Sequence, residues 1–289
     1  MSYFNIIKMK TILVPTDFSE TANNAASYAI KLASDILANK IVFYNAFQPP
    51  PVITENTLPA MPIVDIETMK EISEEGMSAF LEKIKTECPP EIELKKKTGF
   101  SVLLEDIGEI CKEEAADLIV MGITGTSKIE EVLIGSTALS VVKHTQVPVI
   151  VVPSNAQYHP IKNVMLASDL KNVTETTPVH LIKNLLNATK ASLFVVNVYD
   201  DEKDITADKT AQQESLLKLL QDYNPRIEFE NNDNFIAGIN HFVETNNIDI
   251  IITIPKKHKL FEGLFTERHT KKLAFHSHVP LMFIHSEDL

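Results

Sequence analysis

Residues 118–137 read LIVMGITGTSKIEEVLIGST. The run Leu118-Ile119-Val120-Met121 is apolar, which predicts a buried strand, and helical spacing sets in from Ser136. Between them stand three of the chain's eight glycines, as Gly122-x2-Gly125-x9-Gly135, with Ser136 directly after the third. Glycine lets the backbone approach a ligand closely and adopt positive φ without a Cβ penalty. A strand that passes through such a loop into a helix N-terminus presents unpaired N–H groups and a positive dipole end, an arrangement suited to phosphate. The stretch Met121–Thr137 therefore predicts a nucleotide phosphate cradle.

Working outward, Thr11–Pro15 reads as a central strand, followed by Thr16-Asp17-Phe18-Ser19 and an alanine-rich helix with Ser19 as its N-cap. Ile41–Ala46 is the next strand. Residues 48–62 hold five prolines and predict an excursion over the surface. An amphipathic helix follows from Ile66, then a weak edge strand at Ile92–Leu94 and a helix that Ser101 is expected to cap. After the glycine stretch come a helix over about Ser136–Lys143 and the strand Val147–Val152. Strands that alternate with helices imply an α/β fold with a parallel, doubly wound, Rossmann-like sheet.

After Pro153 the pattern restarts. KTILVPTDF at 10–18 sets against KNVMLASDL at 162–170, a shift of 152 that also places Asn45 on Asn197. ADLIVMG at 116–122 sets against IDIIITI at 248–254, and HTQVPVIVV at 144–152 against HSHVPLMFI at 276–284, both shifted by 132. Two copies of one unit, residues 1–153 and 160–289, account for the length. The copies differ at the cradle: Gly122, Gly125, Gly135 and Ser136 are matched by Ile254, Lys257, Glu267 and Arg268. A glutamate there would repel phosphate, so the second copy is expected to bind no nucleotide, although Asp169 repeats Asp17.

The formal net charge of −12 disfavours nucleic acid or an anionic membrane as partner, because both ask for a basic face. No stretch approaches the ~18–20 apolar residues of a membrane span, and the N-terminus carries no signal-peptide pattern. Cys88 and Cys111 form no C-x-x-C motif and are expected to be reduced thiols of a cytoplasmic protein. Five histidines fall at His258, His269, His276, His278 and His285; without ligand spacing they are expected at the surface, with no metal site.

The chain resembles the universal stress protein family in its tandem two-domain form. The pattern G-x2-G-x9-G-[S/T] is the signature of that family's ATP-binding branch, and Gly122, Gly125, Gly135 and Ser136 fit it without a gap. ILVPTDFSE and VPVIVVP resemble its first and last strands. The resemblance implies an adenine nucleotide alpha hydrolase-like fold in each half, a five-stranded parallel sheet of order 3-2-1-4-5 with the ligand over the ends of strands 1 and 4. Carried over position by position, Pro15, Thr16 and Asp17 lie near adenosine and metal, and Ala46 meets adenine through its backbone. Met121, Gly122, Thr124, Gly125, Gly135, Ser136 and Thr137 hold ribose and phosphates. ATP, with Mg, is the implied cofactor. Where many relatives carry a basic residue after the second glycine, Thr126 stands here, with Lys128 as the nearby cation.

Three functions fit these residues: a stress-response module that binds ATP to sense or regulate, a slow ATPase or nucleotide hydrolase, and a ligand-free interaction scaffold. Hydrolysis needs a group to position water. Asp17, Glu130 and Glu131 are the nearby candidates, and no Walker-type lysine follows the glycines, so no catalytic residue is assigned. In the family the last strand commonly mediates dimers, so VPVIVVP and VPLMFIH are expected to pair within one chain as a pseudo-dimer. A homodimer of whole chains stays open.

Overall fold

A computed structural model describes residues 9–48, 65–123, 132–133, 136–200, 206–255, 274–275 and 279–286 of the chain. The first half contributes β1 (Thr11–Pro15), α1 (Glu20–Ile36), β2 (Lys40–Phe47), α2 (Ile66–Lys85), β3 (Glu93–Phe100), α3 (Leu103–Glu113) and β4 (Leu118–Gly122). The two-residue β5 (Val132–Leu133), α4 (Ser136–His144) and β6 (Val149–Val152) complete it. The second half follows with β7 (Asn163–Ala167), α5 (Val173–Thr176), α6 (Val179–Thr189), β8 (Ser192–Tyr199), α7 (Ala207–Leu219) and β9 (Arg226–Asn231). It closes with α8 (Phe235–Asn246), β10 (Ile250–Thr253), the two-residue β11 (Ala274–Phe275) and β12 (Leu281–Phe283).

Among the described residues ten of these strands form one sheet, in the order β3-β2-β1-β4-β6-β12-β10-β7-β8-β9, while β5 and β11 pair antiparallel as a separate two-stranded sheet. The order 3-2-1-4-5 thus occurs twice, once from each end. In the ten-stranded sheet neighbours are parallel within each half, and the joint between β6 and β12 is antiparallel. There Val149 pairs with Phe283, Ile150 with Met282 and Val151 with Leu281. Under the sequence shift of 132, Ile150 and Met282 are each other's counterparts, and the two flanking pairs exchange. The ladder is therefore isologous, with a pseudo-twofold axis through the Ile150–Met282 pair. The anticipated pairing of VPVIVVP with VPLMFIH is present.

Both faces of the sheet are covered, which is why its central strands are near-continuous apolar runs. Ile12, Val14 and Val120 pack on one face with α1, α2, α6 and α7. Leu13, Ile119 and Met121 pack on the other with α3, α4 and α8. Alanine carries α1 close to the sheet: Ala25, Ala26, Ala29 and Ala33 are fully buried. Ser19 caps it as expected, its hydroxyl accepting from the Ala22 N–H at 3.2 Å.

An aspartate repeated at the shift of 132 ties strand starts together in each half. Asp117 Oδ2 accepts from the Lys10 and Thr11 N–H groups at 2.8 and 3.1 Å. Asp249 Oδ2 accepts from those of Lys162 and Asn163 at 2.7 and 2.8 Å.

Three local expectations need correction. The edge strand runs through Phe100 rather than ending near Leu94. Its lysines are anchored: Lys95 reaches the buried Glu114 carboxylate at 2.8 Å, which Lys40 of β2 also meets at 2.7 Å, and Lys97 pairs with Glu113. Ser101 does not cap α3, whose N-cap is Val102; its hydroxyl bonds the Asp106 carboxylate, which Tyr44 also meets at 2.5 Å. Burial and that carboxylate push the Tyr44 phenol up to about 12. Finally, the counterpart of α1 is broken in the second half between α5 and α6. Pro178 has no N–H to give and forces Thr177 into an extended conformation, at φ −93° and ψ 114°.

Candidate functional site

The crossovers from β1 and β4 leave in opposite directions, so a crevice opens over the carboxyl ends of these two strands. Pro15 is buried at the end of β1, in register with Tyr44. Thr16 is buried too: its N–H donates to the Tyr44 carbonyl at 2.9 Å, and its Oγ1 accepts from the Phe18 N–H at 3.0 Å. Asp17 is exposed. Its Oδ1 accepts from the Ser19 N–H at 3.0 Å, closing an Asx turn, while its Oδ2 has no hydrogen-bond partner among the described residues.

This turn bends sharply enough to hold Phe18 at a φ of 64°, a costly value for a bulky residue. The Phe18 ring is held in turn. It lies against Gly76, where a Cβ would come within 2.8 Å of the ring, and packs on Phe80 at 6.0 Å between centroids.

Beneath the turn lies a residue whose role the sequence did not suggest. Asn45 Nδ2 donates to the Thr16 carbonyl at 2.7 Å, and its Oδ1 accepts from the Ser73 hydroxyl of α2 at 2.7 Å. Asn45 therefore fastens the β1–α1 turn to β2 and α2. The signal was available, since Asn45 recurs as Asn197.

Ala46, next along, is half-buried and in register with Gly99 of β3. Backbone polar groups alternate sides along a strand. The Tyr44 carbonyl points toward β1, where Thr16 meets it, and the Phe47 carbonyl points toward β3, where it accepts from the Ser101 N–H at 3.0 Å. The N–H and C=O of Ala46 accordingly face the β1 side, beyond the point where β1 has turned away.

On the other wall, the Met121 side chain is buried on the face of α3 and α4, so only its backbone borders the crevice. Gly122 has a packing reason of its own. A Cβ there would stand 2.5 Å from the Thr21 carbonyl oxygen and 2.8 Å from its carbon, in the first turn of α1. Thr124, Gly125 and Gly135 lie outside the described residues, as do Thr126, Lys128, Glu130 and Glu131. Ser136 and Thr137 are exposed in the first turn of α4. The crevice thus gathers Thr16, Asp17, the Ala46 backbone edge and the tip of β4.

The second half rebuilds the frame with other contents. Ser168 takes the place of Thr16: its N–H donates to the Val196 carbonyl at 3.0 Å, its Oγ accepts from the Leu170 N–H at 3.1 Å, and its carbonyl accepts from Asn197 Nδ2 at 2.8 Å. Leu170 sits at a φ of 53°, so the strained turn recurs and belongs to the fold rather than to a ligand. Asn197 Oδ1 accepts from Lys209 Nζ at 3.2 Å, an ammonium where the first half has a hydroxyl. Ile254, in the place of Gly122, is buried in one apolar cluster with Leu170 and Val173. Lys257, Glu267 and Arg268 lie outside the described residues.

Of the five clustered histidines only His285 is described, and it is not at the surface. It is 8% exposed, and Nε2 lies 2.8 Å from the Val142 carbonyl across the joint between the halves. Burial holds its imidazole below the usual histidine range. His258, His269, His276 and His278 lie outside the described residues. Both cysteines are free thiols, Cys111 buried and Cys88 half-buried. Among the described residues no group of three or more His, Cys, Asp or Glu is placed to hold a metal ion, and no helix is long and apolar enough to cross a membrane.

These features define a doubly wound α/β protein with a crevice at its switch point. The universal stress protein family matches residues 8–153, and the chain belongs to that family. It is 34% identical over 145 residues to the universal stress protein MJ0531 of Methanocaldococcus jannaschii, covering 50% of this chain and 81% of the relative. It is 29% identical over 162 residues to the universal stress protein MJ0577 of the same organism, covering 50% of this chain and 96% of that one. A solved universal stress protein from Archaeoglobus fulgidus superposes with a TM-score of 0.68 at 18% identity, covering 98% of both chains, a likeness of fold.

Proposed function

We propose that residues 1–153 and 160–289 are tandem universal stress protein units, and that the first binds ATP while the second binds no nucleotide. The observation that carries this reading is the overrun of β2 past β1. It leaves the Ala46 N–H and C=O pointing into the crevice, one donor and one acceptor at the spacing of an adenine edge. Pro15 and Thr16 shape the wall beside the base. The phosphates then run past Met121 and Gly122 toward Thr124, Gly125, Gly135, Ser136 and Thr137, where the first turn of α4 offers unpaired N–H groups.

Magnesium fits the donors present. Mg²⁺ is usually held by one or two carboxylates together with substrate phosphates, and Asp17 offers one exposed carboxylate oxygen at the crevice. The ion would neutralise phosphate charge in an otherwise acidic chain.

Asp17 already spends one oxygen on the turn, which leaves a single oxygen to serve either a cation or a water, and no Walker-type lysine follows the glycines. Sensing or regulation in a cytoplasmic stress response is therefore favoured over turnover, with slow hydrolysis as the alternative and a ligand-free scaffold as the third reading. Both fifth strands are consumed in the internal ladder, so a homodimer of whole chains would have to use another surface. The acidic charge argues against nucleic acid as partner.

The test is to purify the protein without added nucleotide, denature it and identify what is released. About one ATP per chain supports the proposal. ADP accumulating with time favours hydrolysis. No released nucleotide, together with no thermal shift on adding Mg-ATP, would sink both.

A further inference from the structure

A cavity of about 300 Å³ opens where α1, the interdomain segment and the second half meet. That is the low end for ligand pockets, enough for a small molecule. Tyr28 of α1, His159 of the connecting segment, and Asp249, Val279 and Pro280 of the second half are among its lining residues.

Two polar groups here are left over by the fold. Tyr28 is 3% exposed as a residue, and its hydroxyl, which is not sealed in the core, keeps its access at the cavity. Its neighbour Tyr158 stacks edge-on at 5.0 Å between centroids and spends its own hydroxyl on Asp35. Asp249 gives Oδ2 to the two N–H groups that start β7 and keeps Oδ1 without a partner among the described residues.

The described lining carries one carboxylate, Asp249, and one imidazole, His159. Burial, then the Asp249 and Asp35 carboxylates, push the Tyr28 phenol above its ordinary range. No lysine or arginine side chain lines the cavity. A metal ion is a poor match, because the described residues assemble no set of three ligands. The apolar contribution of the Tyr28 ring, Val279 and Pro280 suits carbon instead.

We propose that this seam cavity binds a small organic cation carrying N–H donors, an alkylammonium or guanidinium group. The Asp249 carboxylate takes its charge, and the Tyr28 oxygen accepts from one N–H. Because the cavity is built from both halves and the segment between them, occupancy also fastens the halves together and raises the melting temperature.

The test uses the full chain, titrated with methylguanidinium and followed by calorimetry and by amide NMR shifts. Saturable binding is expected, with shifts centred on residues 155–159 and 248–249. Tetramethylammonium, with equal charge but no N–H, should bind about tenfold more weakly. Tyr28→Phe, which removes one unpartnered oxygen, should weaken methylguanidinium about fivefold while the far-UV spectrum is unchanged. Asp249→Asn should weaken it more; should that variant misfold, Tyr28→Phe decides alone. Non-saturating shifts, or wild-type affinity in Tyr28→Phe together with equal binding of tetramethylammonium, would overturn the proposal.

Discussion

Gly122→Ala tests whether this glycine is required by packing before any ligand arrives. The added Cβ would lie 2.5 and 2.8 Å from the Thr21 carbonyl oxygen and carbon, where ordinary contact is about 3.5–4.0 Å. Both obstructing atoms are backbone, so no rotamer change relieves them. The tip of β4 and the first turn of α1 must separate by roughly 1 Å, and the turn carries the Ser19 cap with it. Overpacking of this kind costs about 1–3 kcal/mol, and a backbone obstacle places it in the upper part of that range. At about 2–4 °C per kcal/mol for a chain portion of this size, Tm should fall by roughly 4–12 °C.

The assay is thermal unfolding of nucleotide-free protein by circular dichroism. Gly108→Ala is the internal control, because a Cβ at Gly108 in α3 meets nothing within 4 Å. There the same substitution should stabilise by about 0.5–1 kcal/mol through helix propensity. An unchanged Tm in nucleotide-free Gly122→Ala would refute the packing argument and leave ligand approach as the reason for the glycine.

Three further outcomes follow from the structure. His285 donates from Nε2 to the Val142 carbonyl, and its Nδ1 is buried without a partner. Its folded pKa is lowered, so as pH falls the unfolded chain takes up the proton first; the stabilisation is complete above about pH 6.5 and shrinks below it. Wild type should therefore lose more Tm between neutral pH and pH 5 than His285→Gln does, and parallel losses would count against this. Met282→Lys places an unpaired charge beside Ile150 on the pseudo-twofold axis and should destabilise by about 3–5 kcal/mol in urea titrations, whereas a small change would mean the seam is loosely packed. Asn45→Leu leaves the Thr16 carbonyl and Ser73 hydroxyl unpaired, costing about 1–3 kcal/mol in urea titrations for each group that stays dry.

Strand order was legible because it rests on strong signals, the buried apolar runs of the central strands. The site was legible in outline only. Thr16 and Asp17 stand at the switch point, but Asn45 escaped notice as a site residue because a buried amide in an apolar run has no periodic signature. The remaining errors have one physical form, in which a distant partner overrides a local preference. The edge strand reads as short and weak at Ile92–Leu94 until Glu113 and Glu114 are placed beside its lysines. Ser101 reads as a cap until Asp106 competes for its hydroxyl, and His285 reads as surface until Val142 of the other half covers it. The break between α5 and α6 differs, since Pro178 announced it locally.

The antiparallel joint between β6 and β12 has a consequence for how the two crevices can vary. In a dimer of identical chains, every substitution is imposed on both subunits, so a glycine that serves one crevice must be carried by the other. Here the two counterparts are encoded separately, and Gly122 and Ile254 diverge while the ladder between Val149–Val151 and Leu281–Phe283 stays matched. The covalent link also holds the partner surfaces at high effective concentration, so dilution cannot part them. The joint therefore behaves as a heterodimeric interface of fixed one-to-one composition.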